Sequence, residues 1–187
     1  VKYFTVPEQM QGKRLFISFQ GAESGLALWL NGKFVGYSED SFTPSEFELT
    51  EYVKEGENKL AAQVFKWTAS SWCEDQDFYR FSGIYRDVYL YTVPEVHVND
   101  LRIRAIPDVS LASADFELTT KTWGKGQLKI VLSKEGNVVL EDVKEISDED
   151  TFSWKVDAPV LWSAEDPQLY DLELTVSDEN GNVQEII

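Results

Sequence analysis

Apolar residues along this chain recur mostly at every second position, in runs of about five to ten residues separated by polar or glycine-containing stretches. In the first half these runs are RLFISFQ, LALWL, KFVGY, NKLAAQVFKW and IYRDVYLY. Leu60, Ala62 and Val64 alternate with Lys59, Ala61 and Gln63, which predicts one face on a core and the other nearer water. Asn31-Gly32 lies between LALWL and KFVGY, and both residues tolerate the positive φ of a type I′ turn, so a two-residue hairpin is predicted there. The pattern as a whole predicts an all-β protein.

At Thr92-Val93-Pro94-Glu95 the proline removes a ladder donor and ends the preceding strand, which predicts a boundary between a domain at 1–93 and one at 94–187. Beyond it, VHVNDLRIRAIP, ADFELTTKTW, QLKIVLSK, NVVLEDV, TFSWKV and LYDLELTVS predict six strands, with turns at Gly124, Gly136 and Gly181. Their spacing suits an immunoglobulin-like sandwich without its usual disulfide. The acidic run from Glu145 to Asp150 predicts a solvated loop.

Composition narrows the function classes. Hydrophobic residues make up 43% of the 187, and aromatics 13%, which excludes a disordered chain. The 33 acidic against 17 basic residues give a net charge of −16, so the surface repels nucleic acid and anionic membranes. Cys73 is the single cysteine, which precludes an intrachain disulfide. The start VKYFTVPEQM carries no leader pattern, and no run approaches the roughly 18 apolar residues of a membrane span, so a cytoplasmic location is expected. The missing initiating Met and the apolar close VQEII predict a piece of a longer protein.

Candidate chemistry is sparse. Carboxylates gather at Glu39 and Asp40 after KFVGY, and at Glu74, Asp75 and Asp77 before IYRDVYLY. Glycoside cleavage needs two carboxyls on opposite sides of a sugar, and neighbours such as Glu39 and Asp40 point to opposite faces if the strand persists. One histidine, His97, and one cysteine leave a His/Cys zinc site short of ligands. There is no G-x-S-x-G elbow and no glycine-rich phosphate loop. Trp67, Trp72, Phe78, Tyr79, Phe81 and Tyr85 are open to two readings, a sugar-stacking platform or core packing.

The order of pieces is more specific. The stretch from Leu26 to Trp67 containing GYSEDSFTPSEFEL, then EDQDFYRFSGIYRDVYLY, then VLWSAEDPQLYDLELTV resembles the jelly-roll and immunoglobulin-like domains of β-galactosidases in glycoside hydrolase family 2. The form DQD-x-x-R-x-SGI-x-RDV is nearer to β-galactosidases than to the related glucuronidases and mannosidases. The resemblance implies a partial jelly-roll, sugar-binding sandwich followed by an immunoglobulin-like sandwich. It also implies a parent that hydrolyses terminal β-D-galactosides with retention, on two glutamates of a barrel that follows these domains. These 187 residues would then be a non-catalytic part, inactive alone. In the family pattern G-Y-x-x-D-S-x-x-P-S-E-F the aspartate contacts galactose hydroxyls and a sodium ion, and the matching residue here is Asp40. Pro44, Ser45, Glu46 and Phe47 would fix the loop that aims it, and Glu74, Asp75, Asp77 and Arg80 would form a salt-bridged loop network. Magnesium is expected in the parent barrel rather than here.

The implied partners are the galactoside, the remaining domains of the same chain and further copies in a homo-oligomer. A family jelly roll starts well before a strand like KYFTV, so opening strands are expected to be missing and the exposed edges to favour self-association. A free-standing carbohydrate-binding module is the alternative, and a pair of purely structural adhesin-like sandwiches a third reading.

Overall fold

The computed structural model describes residues 1–74 and 79–187. The chain divides into two compact units, Val1–Val93 and Pro94–Ile187. Its regular elements are almost all strands, and among the described residues no helix is long and apolar enough to cross a membrane.

Nine strands build the first unit: β1 (Lys2–Thr5), β2 (Arg14–Phe19), β3 (Ala22–Glu23), β4 (Gly25–Leu30), β5 (Lys33–Ser38), β6 (Ser45–Glu48), β7 (Glu57–Phe65), β8 (Gly83–Ile84) and β9 (Val88–Val93). They pair antiparallel in the orders β1-β7-β4-β5, β6-β2-β9 and β3-β8. Leu15, Ile17 and Phe19 of β2 and Leu26, Leu28 and Leu30 of β4 supply the buried centre between the two larger sheets, a jelly-roll sandwich. Leu60, Ala62 and Val64 face this core from β7, as their alternation predicts. Asn31 and Gly32 adopt φ of 53° and 84° and close the β4–β5 hairpin in two residues. The Asn31 amide donates to the Asn58 side chain at 2.8 Å and to the Tyr52 carbonyl at 2.9 Å, tying the turn to β7.

One expected strand is divided. IYRDVYLY contributes Ile84 to the short β8, whose partner is Ala22, and only Val88 onward to β9. Tyr85 and Arg86 between them turn their side chains to a neighbouring loop.

The second unit holds β10 (His97–Pro107), β11 (Ser113–Lys134), β12 (Asn137–Asp157), β13 (Asp171–Asp178) and β14 (Val183–Ile186). β11 and β12 are long enough to serve both layers. The first half of β11 pairs with β10 and its second half with β13, while β12 follows it throughout. Leu118 from one half and Leu128 and Ile130 from the other meet in one core with Ile146, Leu174 and Val176, giving the immunoglobulin-like sandwich. Gly136 forms the β11–β12 hairpin with Glu135, and Gly181 lies in the β13–β14 turn, as expected.

Two expectations at this level are corrected. Gly124 ends no strand: at φ 83° it marks the irregularity between Thr122 and Lys125 where β11 bends from one layer to the other, so ADFELTTKTW and QLKIVLSK are one strand. The acidic run Glu145–Asp150 is no loop but the middle of β12. Ile146 points into the core, and the acids lie on the outer face, where Glu145 meets Gln127 at 2.8 Å and Glu149 meets Lys121 at 3.8 Å. His97 is a buried sandwich residue with Nδ1 against the Pro94 carbonyl at 2.8 Å.

Candidate functional site

β5 ends at Ser38, so Glu39 and Asp40 lie in a loop and diverge. The Glu39 carboxylate accepts from the Tyr37 hydroxyl at 2.9 Å and the Ser70 amide at 3.0 Å, and its carbonyl accepts from the Ser70 hydroxyl at 2.8 Å. Asp40 folds over the next turn. One of its oxygens accepts from the amides of Phe42 and Thr43, both at 3.0 Å, and the other from the Thr43 hydroxyl. The Thr43 hydroxyl first, then the amides, hold the Asp40 carboxyl below its ordinary value; the Ser70 amide and the Tyr37 hydroxyl do the same for Glu39. Both carboxylates are therefore ionised at neutral pH and act as acceptors. A general acid for glycoside cleavage needs the opposite shift.

Ser41 is fully buried and is the pivot of the loop. Glu74 accepts its amide at 2.9 Å and its hydroxyl at 2.7 Å, and the Tyr85 hydroxyl donates to its carbonyl. Arg86 donates to the Phe42 carbonyl at 2.9 Å, and the Ser45 hydroxyl to that of Ser38 at 2.8 Å. The two long motifs of the first unit are thus halves of one construction, in which the second clamps the loop of the first.

The glycines have a matching geometry. A Cβ on Gly36 would meet the Phe47 ring at 2.6 Å, and one on Gly21 the Tyr85 ring at 2.7 Å. Phe47 lies against Gly36 and edge-on to Phe19, which anchors β6 as expected. Clamps at Ser41, Tyr85 and Arg86 escaped the sequence reading because they act largely through backbone carbonyls more than 30 residues away. The one local signal was glycine placed where an aromatic ring must approach.

Of the expected loop network, Glu74 bonds Ser41, and the Arg80 guanidinium lies 4.8 Å over the Trp67 ring. Asp75, Asp77 and Phe78 lie outside the described residues. Trp67, Trp72, Tyr79 and Phe81 stay out of the core; Trp72 is 85% exposed. Phe81 stacks on Tyr85 with centroids 4.5 Å apart. Cys73 is an exposed free thiol.

Among the described residues no group of three or more His, Cys, Asp or Glu side chains could hold a metal ion. The fit to a sodium ion is that of a single ligand: Asp40 offers an exposed, ionised carboxylate, one oxygen of which has a single protein donor.

Because Glu74 satisfies both polar hydrogens of a buried serine, Glu74→Ala should cost about 1–3 kcal/mol locally. Hydrogen exchange at the Ser41 amide should accelerate by a corresponding factor. Unchanged exchange there would show the clamp to be redundant.

Comparison with known proteins agrees over the whole length. Residues 1–94 match the sugar binding domain of glycosyl hydrolases family 2, and residues 96–187 match a second domain model of glycosyl hydrolases family 2. A β-galactosidase of Halalkalibacterium halodurans is 51% identical over 193 residues, covering 100% of this chain and 19% of the relative. For a β-galactosidase of Clostridium acetobutylicum the values are 46%, 100% and 21%, and for the β-galactosidase large subunit of Leuconostoc lactis 40%, 100% and 30%. This chain therefore spans less than a third of the length of these relatives.

Among solved structures, an FMN-binding β-glucuronidase from Facaelibacterium prausnitzii L2-6 superposes with a TM-score of 0.81 at 22% identity, over 100% of this chain and 30% of that one. A β-glucuronidase from an uncultured Clostridium gives 0.74 at 26%, over 100% and 33%. At such identities the first of these carries the fold, whereas the matched domain models span both units, and so the chain belongs to glycosyl hydrolase family 2, as its sugar-binding and immunoglobulin-like domains.

Proposed function

We propose that these residues are a non-catalytic part of a β-galactosidase that hydrolyses terminal β-D-galactosides with retention, and that they present Asp40 to the galactose and to a sodium ion. The supporting observation is the convergence of both motifs on one loop, which leaves Asp40 ionised and exposed while every neighbouring position is anchored. An ionised carboxylate is costly in a closed pocket unless sugar hydroxyls or a hard cation share its charge. The two catalytic glutamates and a magnesium ion belong, on this reading, to a barrel elsewhere in the polypeptide. The remaining domains of that polypeptide, further copies of it in a homo-oligomer and the galactoside are its partners, and the cytoplasm its location.

The test compares residues 1–187 with the whole polypeptide on a chromogenic β-galactoside. The whole polypeptide should turn it over and residues 1–187 should not; turnover that copurified with residues 1–187 would overturn the reading. The exposure of Trp72 favours a second reading, a carbohydrate-binding module. Galactose binding by residues 1–187 in calorimetry, abolished by Trp72→Ala, would select it.

A further inference from the structure

The end of the second unit where β10 turns into β11 and β12 runs on toward β13 has its polarity reversed. Between the layers lies an apolar pocket of about 240 Å³, lined by Ile103, Phe116, Leu132, Val156, Tyr170 and Leu172 among others. The connection from β12 to β13 is ordered by its own polar groups. The Ser163 amide bonds the Asp166 carbonyl at 3.1 Å, the Asp166 amide the Ser163 hydroxyl at 3.0 Å, and Gln168 bridges Asp166 and Lys134 at 2.7 and 2.6 Å. The Tyr170 hydroxyl accepts from the Val160 amide at 2.8 Å, which holds the connection against the pocket. With its polar groups spent on one another, this connection turns Trp162 and Leu169 outward, 61% and 75% exposed. Val109 and Leu111 do likewise from the adjoining β10–β11 turn, which bonds the end of β12 through the Ala158 amide and the Ala112 carbonyl at 2.8 Å.

Single exposed apolar residues are ordinary, but a contiguous group around an apolar pocket marks a surface that another body covers. A fixed loop that displays tryptophan fits a buried anchor of an interface.

We propose that this apolar end is a docking surface for a later part of the same polypeptide, with Trp162 and Leu169 as its anchors. This rests on the reading of the chain as part of a longer β-galactosidase. Two observations choose the occupant. β14 runs antiparallel to β13, with Ile187 bonded to Leu174 at 2.9 and 3.0 Å, so its direction is along β13 toward Leu172 and the pocket. In the relatives, 19–30% of the length corresponds to this chain, so most of the polypeptide is available to cover the surface.

Hydroxyl-radical footprinting of residues 1–187 and of the whole polypeptide tests this. Trp162 and Leu169 should be modified readily in residues 1–187 at every concentration, and several-fold less in the whole polypeptide. Equal modification in both would overturn the proposal. Protection that rose with concentration in residues 1–187, together with a dimer in sedimentation, would overturn it in favour of a second copy. As a second measurement, Leu169→Asp should leave the Tm of residues 1–187 unchanged and lower that of the whole polypeptide; an unchanged Tm in the whole polypeptide would count against it. Galactoside hydrolysis is scored separately, so a polypeptide that protects Trp162 but cleaves no galactoside would refute the functional reading and leave the docking surface standing.

Discussion

In the whole polypeptide, Asp40→Asn is expected to lower kcat/KM for a β-galactoside by roughly 100-fold, about 3 kcal/mol of lost transition-state stabilisation. Asparagine is the informative replacement because its carbonyl oxygen still accepts from the amides of Phe42 and Thr43, so the turn keeps its shape. What disappears is the charge and the second acceptor oxygen. Sodium dependence of the rate should weaken in the same variant, since an amide is a poorer ligand than a carboxylate for a hard cation. Asp40→Ala removes the turn as well and should be lower still. Wild-type kcat/KM in Asp40→Asn, with sodium dependence unaltered, would leave Asp40 as a turn residue and nothing more.

Gly126→Ala should destabilise the second unit by about 3 kcal/mol or more, at the upper end of what overpacking usually costs. A Cβ at this position would stand 2.0 Å from the Ser177 carbonyl oxygen and 3.1 Å from its carbon. The obstacle is the backbone of β13, which cannot rotate aside as a side chain would. Gly126 also opposes Ile146 on β12, so any shift disturbs two paired strands and the core they share. For a unit of this size the loss corresponds to a fall in Tm of more than about 10 °C. Gly136→Ala is the control: its φ of 78° is strained for alanine, but nothing lies within 4 Å, so the cost should stay near about 1 kcal/mol. A Gly126→Ala protein that melted with the Gly136→Ala variant would refute the steric account.

The strands that sequence made legible were those whose alternation and turn chemistry agree locally, such as β4 and β5 around Asn31-Gly32. The long strands were harder to see. Gly124 looks like punctuation, yet its freedom of φ lets β11 bend between layers without ending. The run around Ile146 looks solvated because five of its six residues are polar, and one apolar side chain directed inward is enough to seat the strand. In the candidate site, Asp40 was legible only through its resemblance to a family motif. Its supports were not, since a contact between a tyrosine hydroxyl and a distant serine carbonyl leaves no periodic trace in sequence. The exposure of Trp67 and Trp72 was equally hidden, because large rings serve cores and surfaces alike.

The clamp on the Asp40 loop also has a direction in time. Ser41 and Phe42 await Tyr85 and Arg86, each 44 positions further along the chain. At a synthesis rate of about 5–20 residues per second, the loop emerges roughly 2–9 s before the groups that shape it. During that interval Asp40 has only its own turn for company, and a ribosome halted before residue 85 carries a ligand loop that is present in sequence but not yet built.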